Sequence, residues 1–118
     1  MTTQEIATRL VSLCREGRFD EVYEELFDTE NVLSIEPDEQ PNRIVKGVAA
    51  IKEKGKEFNR DLEAFHGSFI SDPLVAGNAF SLLMSLDATF KGRGRVTMNE
   101  ICLYEVKDGK IVKEQFFF

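Results

Sequence analysis

The sequence predicts an α+β fold in which helices pack on one face of a curved, mainly antiparallel sheet. Three observations carry that reading. Apolar residues recur at helical spacing near the start of the chain and again from Gly47, alternating β-prone runs fill the chain from residue 62 onward, and turn sequences punctuate those runs, above all Asp108-Gly109.

Thr2 followed three residues later by Glu5 forms a capping box, and Ile6, Leu10, Leu13 and Cys14 then lie on one stripe of a first helix. That helix is expected to end near "REGR", where Gly17 can take the left-handed conformation a helix end often needs. A second helix starts near Phe19, with Phe19, Val22, Tyr23, Leu26 and Phe27 on its apolar side and Asp20, Glu21, Glu24 and Glu25 opposite. "NVLSIEP" is β-prone and is stopped by Pro37, and residues 37–46 read as a polar loop. From Gly47 the period is helical again, with Val48, Ile51 and Phe58 on one side.

Four strands follow, "LEAFHGSFIS", "FSLLMSLDATF", "RVTMNEICLYEV" and "KIVKEQFFF", separated by "DPLVAGN", "KGRG" and "KDGK" as turns. They form an antiparallel meander. At 118 residues the chain fits one domain, 1–118, and its 42% apolar and 31% charged residues are ordinary for a folded protein.

Acids outnumber bases 21 to 15, which argues against nucleic acid as a partner, since phosphate binding draws on clustered Lys and Arg. The one basic run, "KGRGR" at 91–95, reads as a solvated hairpin loop rather than a phosphate cradle. Cys14 and Cys102 sit within apolar patterns without metal-ligand spacing, so they are expected to be reduced packing residues. No apolar run reaches membrane-spanning length, and "MTTQEIATRL" lacks the apolar core of a signal peptide, so the expected setting is cytoplasmic with no membrane partner.

A two-residue turn at Asp108-Gly109 sets the register of the last two strands by counting outward. Leu103 is then opposite Glu114, Ile101 opposite Phe116 and Asn99 opposite Phe118. One face carries Asn99, Ile101, Leu103, Val112, Glu114, Phe116 and Phe118, the other Glu100, Cys102, Tyr104, Lys113, Gln115 and Phe117. Helices would cover the first face, and a second copy of the chain the other, which makes a homodimer the expected assembly. Glu114 would project among apolar side chains, where burial raises a carboxyl's pKa, although a glutamate on a strand equally suits a solvated rim.

The order of elements, with "FDTENVLSIEP", "VKGVAAIKEKGKEF" and "YEVKDGKIVKEQ", resembles the nuclear transport factor 2-like superfamily and, within it, the SnoaL-like proteins. The resemblance covers essentially the whole chain. It rests on the acid-proline after the first strand, the Gly47-x-x-x-Ile51 opening of the third helix, and the final Asp-Gly hairpin. It implies a cone-shaped roll, a strongly bent sheet wrapping about three helices around a mostly apolar cavity. Members include ketosteroid isomerases, polyketide cyclases, dehydratases and binding proteins without chemistry, so the fold leaves the activity open.

By this resemblance Glu36, before Pro37, takes the place of a proton-shuttling base, and Glu114 resembles the late-strand acid of SnoaL-like cyclases. The oxyanion-holding positions of the isomerases correspond to Leu10 and Ile101, neither of which can donate, so a steroid isomerase is not expected. Glu36 and Glu114 are therefore the candidate catalytic acids. His66, Leu82, Met84, Leu86, Asn99, Ile101, Leu103, Phe116 and Phe118 are the candidate pocket wall, His66 either as a wall residue or as a secondary catalytic candidate. The ligand class is a small hydrophobic molecule undergoing isomerisation, cyclisation or dehydration, and no metal or organic cofactor is implied. The alternative is a non-catalytic binding or dimerisation module whose cone is filled by Phe65, Phe69, Phe116 and Phe118.

Overall fold

The structure is a computed structural model describing residues 1–118. Helix α1, Thr3–Arg15, starts at the capping box read from the sequence: the Glu5 amide donates to Thr2 Oγ1 at 3.1 Å, and the Thr2 amide to Glu5 Oε1 at 2.9 Å. It ends where Gly17 adopts φ 74° and the Arg18 amide reaches back to the Leu13 carbonyl. Helix α2, Phe19–Leu26, and helix α3, Val48–Arg60, complete the helical layer. None of the helices is long and apolar enough to cross a membrane.

The strands are β1 (Leu33–Ile35), β2 (Ile44–Lys46), β3 (Leu62–Ile70), β4 (Leu74–Ala76), β5 (Ala79–Phe90), β6 (Gly94–Lys107) and β7 (Lys110–Phe117). They form one sheet in the order β2-β1-β7-β6-β5-β3, with β4 paired to β5. Every pairing is antiparallel except that of β1 with β7. The expected meander is present, flanked by two strands the sequence did not announce. Within the segment read as loop, β2 pairs with β1, and the Glu36 amide donates to the Arg43 carbonyl at 2.8 Å to close the ribbon. Within the "DPLVAGN" turn, β4 folds back on β5 through Gly77. At three residues each, both are too short to display an alternation.

Even-numbered residues of β5 and β6 face the helices. Phe80, Leu82, Cys102, Tyr104 and Ile111 join Ile6, Leu10, Leu13, Leu26, Phe27 and Val32 in one buried cluster. Phe80 stacks on Tyr104 with ring centroids 4.9 Å apart, and Phe27 meets Tyr104 edge-on.

The register counted from the final turn requires correction. Asp108 and Gly109 both have positive φ, as the two-residue turn demands, and Lys107–Lys110 and Val106–Ile111 pair as expected. The next pair, however, is Glu105–Lys113, so Val112 is an extra residue in β7. Beyond this bulge Tyr104, not Leu103, is opposite Glu114, and Cys102, not Ile101, is opposite Phe116. Because side chains alternate between faces, a one-residue slip exchanges the two faces of β6. Cys102 and Tyr104 are therefore core residues rather than a surface for a partner, and Asn99, Ile101 and Leu103 lie on the outer face.

Candidate functional site

Glu114 is held inside the sheet by both neighbouring strands: its Cα partner in β1 is Ser34 and in β6 is Tyr104. Its residue exposure is 4%, and Ser34 is buried with it. Burial pushes the Glu114 carboxyl up to about 7. Hydrogen bonding from Ser34 and the nearby Lys54 ammonium oppose the rise, while the Glu36 and Glu100 charges add to it.

Glu36 follows β1 directly, where the chain turns at Pro37. The Lys54 ammonium donates to Glu36 Oε1 at 3.0 Å, and both side chains are about a fifth exposed, at 21% and 20%. Lys54 reaches this place because α3 turns the same side inward at Val48 and Ile51, both buried, and Lys54 comes three residues later. The third acid, Glu100, stands on the inner face of β6 opposite Met84 of β5. The Cys102 thiol donates to Glu100 Oε1 at 3.7 Å. Burial raises the Glu100 pKa, and the charge of Glu36 raises it further.

The three carboxyl groups thus act on one another, each in a different environment. Glu36 is ion-paired, Glu114 is sealed, and Glu100 is half-buried. A surface groove of about 430 Å³ runs past Glu36, Pro37, Asp38, Arg43, Gln115, Phe116, Phe117 and Phe118, and neither Glu100 nor Glu114 lines it. Arrangements of this kind can hold a carboxylate and a carboxylic acid side by side near neutral pH, which is what proton transfer between two points of one molecule requires.

Of the expected wall residues, Leu82 is buried in the core, and Met84, Leu86 and Phe116 are half-buried on the inner face. Four others are placed elsewhere. Asn99, Ile101 and Leu103 are turned out by the bulge, and Asn99 takes a 2.6 Å hydrogen bond from the Ser85 hydroxyl there. His66 is exposed, its Nε2 2.7 Å from Thr89 Oγ1, beside a bulge between Phe65 and Gly67. Phe118, past the end of β7 and 65% exposed, lines the groove beside Glu36 together with Phe116. Phe65 and Phe69 are also exposed, so of the four phenylalanines expected to fill the cone only Phe116 packs against the core.

Glu100, Lys54 and Ser34 escaped the sequence reading. Lys54 had a signal: an ammonium between Ile51 and Phe58 interrupts the apolar stripe of α3. Glu100 and Tyr104 were assigned to the wrong face by the slipped register. With the bulge in place, the inward position beside Ile101 on the penultimate strand is an acid, whereas Leu10 remains a buried residue without a donor.

A strongly curled, mostly antiparallel sheet packed over three helices defines the cone-shaped α+β class of nuclear transport factor 2-like proteins. Within that class the chain belongs to the SnoaL-like domain family, whose match spans residues 1–118. A Mesorhizobium loti protein provisionally described as a SnoaL-like polyketide cyclase, with carbohydrate phosphatase as a second description, is 34% identical with a TM-score of 0.91 over 100% of both chains. An NTF2-like protein from Burkholderia thailandensis superposes with a TM-score of 0.82 at 12% identity, over 99% of this chain and 90% of that one. TerC, crystallised with polyporic acid, superposes with a TM-score of 0.74 at 15% identity, over 98% and 90%. Comparison with proteins of curated function gives no significant match.

Proposed function

We propose that the chain binds a small hydrophobic carbonyl compound at the mouth of the cone and catalyses proton transfer within it. One observation carries this reading: Glu36, paired with Lys54, lies close enough to the more deeply buried Glu100 and Glu114 for the three acids to act on one another in unequal surroundings. Glu36, as the carboxylate, takes a proton from the carbon next to the carbonyl. Glu114 or Glu100, as the acid, gives a proton to the carbonyl oxygen, so the C–H electron pair moves into an enol. Where the carbonyl compound has a β,γ double bond, return of that proton from Glu36 to the γ carbon, while the acid's carboxylate takes back the enol O–H proton, completes an isomerisation. Attack of the enol carbon on a second carbonyl of the same molecule completes a cyclisation. Half-buried Met84, Leu86 and Phe116 supply apolar contact for the ligand.

A small-molecule ligand is in keeping with TerC, of similar fold, which was crystallised with polyporic acid. The test is incubation with 2-tetralone, a neutral bicyclic ketone with acidic α-hydrogens, in deuterated buffer. Incorporation of deuterium well above the buffer rate supports the proposal, and a rate equal to buffer overturns it. The near-complete burial of Glu114 favours a second reading, a binding module without chemistry. That reading predicts ligand-induced shifts without exchange in the methyl signals of Met84 and of Met98, which stands opposite Leu86 on β6.

We propose further that two copies pair through the outer sheet face. Leu83, Ile101 and Phe117 lie side by side there across β5, β6 and β7, with Ile101 and Phe117 about half exposed. The buried free thiols Cys14 and Cys102 suit a reducing, cytoplasmic setting.

A further inference from the structure

We infer that the groove beside Glu36 takes an aromatic carboxylate, and that Arg43 is the residue that recognises its anionic end. The inference deepens the proposal above by naming a substrate class, an aryl keto acid, and only that last step rests on the proton-transfer reading.

The sheet places Arg43, Glu36 and Phe116 in one row. β1 and β2 pair at Ile35–Ile44, and the next step of that ladder is the 2.8 Å bond from the Glu36 amide to the Arg43 carbonyl. β1 and β7 run parallel with Ile35 opposite Gln115, so Phe116 comes level with Glu36 on its other side. Neighbouring strands lie about 5 Å apart, which spreads the three residues over roughly 10 Å at the end of the sheet. All three line the groove, and Pro37 and Phe118 add apolar surface.

Arg43 is the one cation among the lining residues, and the fold leaves its guanidinium without a hydrogen bond. Arg9, Arg15, Arg18 and Arg95 each donate to a neighbouring carboxylate. Arg43 Nε lies 2.9 Å from Asp38 Oδ1, yet the two are not aligned as a hydrogen bond, and the Nε–H is shut off from water without an acceptor. A buried donor left unmet is costly, so a guanidinium in this condition marks a place where an acceptor belongs. Its planar fork holds a carboxylate through two parallel N–H bonds, which an ammonium cannot do.

The charges around the groove leave room for that partner. Glu36 is matched by Lys54 Nζ at 3.0 Å, and the Asp38 side chain is 90% exposed, where water and salt screen it. The apolar wall decides between kinds of anion. Two phenylalanine rings and a proline beside a single cation suit a flat aromatic body with one carboxylate better than a bare phosphate, which offers the rings nothing to contact. A carboxylate on Arg43 and a ring on Phe116 leave the atoms between them over Glu36. In an aryl keto acid those atoms include the carbon next to the carbonyl, the one a base must reach.

The test compares 2-naphthoate with 2-naphthamide, its neutral counterpart of similar shape, by NMR titration of the full chain at pH 7, following the Arg43, Gln115 and Phe116 amides. Wild type is expected to bind the carboxylate about tenfold more tightly than the amide, and Arg43→Gln to bind the two alike. Asp38→Asn, which removes the competing carboxylate, is expected to tighten 2-naphthoate a few-fold without changing 2-naphthamide, and it decides the matter where Arg43→Gln loses its amide dispersion. Equal affinities in wild type, a preference that survives Arg43→Gln, or no tightening in Asp38→Asn overturns the inference. So does binding that leaves these three amides unmoved. Neither probe carries an acidic C–H next to a ketone, so the readout is independent of chemistry. Absence of deuterium exchange into 2-tetralone would sink the proton-transfer reading and leave the carboxylate preference standing, whereas normal exchange without that preference would sink only the role of Arg43.

Discussion

Glu114 lies directly across the ladder from Tyr104, because Val112 is an extra residue between the Val106–Ile111 and Glu105–Lys113 pairs. That single bulge puts an acid, a thiol and a phenol on the inner face of β6 and turns Asn99, Ile101 and Leu103 outward. The candidate site depends on it, since Glu100 would otherwise face away from Glu36 and Glu114.

Burial of Glu114 carries a stability signature. Its carboxyl titrates near 4.5 when unfolded and at about 7 when folded, so the native state binds the proton more tightly. Its contribution is therefore fully present below pH 4.5, declines as pH rises and is gone above about 7. The difference amounts to about 3 kcal/mol at 1.36 kcal/mol per pH unit. Glu114→Gln, neutral at every pH, is expected to lose this decline and to be more stable than wild type at pH 8. Urea unfolding of both proteins at pH 4.5, 6 and 8 checks it, and parallel stability curves would contradict it.

The outer face offers a test of the assembly. Ile101→Glu places a charge between Leu83 and Phe117 on a surface already open to water, so its effect on monomer stability is expected within about 0.5 kcal/mol. The same charge at a dimer interface is strongly unfavourable. Native mass spectrometry is expected to give a dimer for wild type and a monomer for the variant. A wild-type monomer at micromolar concentration would contradict the pairing.

The bulge itself is open to chemical test in that variant. With the bulge, both cysteines are core residues. Burial pushes the Cys14 thiol up to about 12, with the Glu114 charge adding to it, and raises Cys102 for the same first reason. Neither is expected to react with iodoacetamide at pH 8 until denaturant is added. Rapid native labelling of Cys102 would mean that it faces outward, as the register without the bulge requires.

The proton-transfer reading fixes the direction of pH dependence. Where Glu114 serves as the acid, its working form is the protonated one, which is lost as pH rises through about 7. Exchange into 2-tetralone, corrected for the buffer rate, is expected to fall across that range. A rate rising steadily from pH 6 to 9 would remove Glu114 from the mechanism.

Most of the architecture was legible in the sequence, because helical stripes and long alternating strands are patterns set by burial on one side. The capping box at Thr2 and Glu5, the Gly17 stop and the Asp108-Gly109 turn each carry a local geometric demand that few residues meet. Strands β2 and β4 carry no such pattern, being formed by pairing with longer neighbours. The bulge at Val112 escaped for a related reason: nothing in "KIVKEQ" marks one residue as extra. It is set by which side chains fit the core, with Cys102 and Tyr104 packing against Leu82, Phe80 and Phe27. Counting from a turn reproduces a register only until the first irregularity, so Glu114 was placed inward correctly while its partners were not.

The most direct measurement is deuterium incorporation into 2-tetralone by wild type and Glu36→Gln at pH 6, with ligand binding followed through the Met84 and Met98 methyl signals. Removing a general base typically costs about 100-fold or more in rate, and the amide preserves the shape of the side chain. The account predicts a drop of that size with binding changed no more than a few-fold. Exchange by Glu36→Gln at the wild-type rate, or no exchange by either protein despite binding, would contradict it.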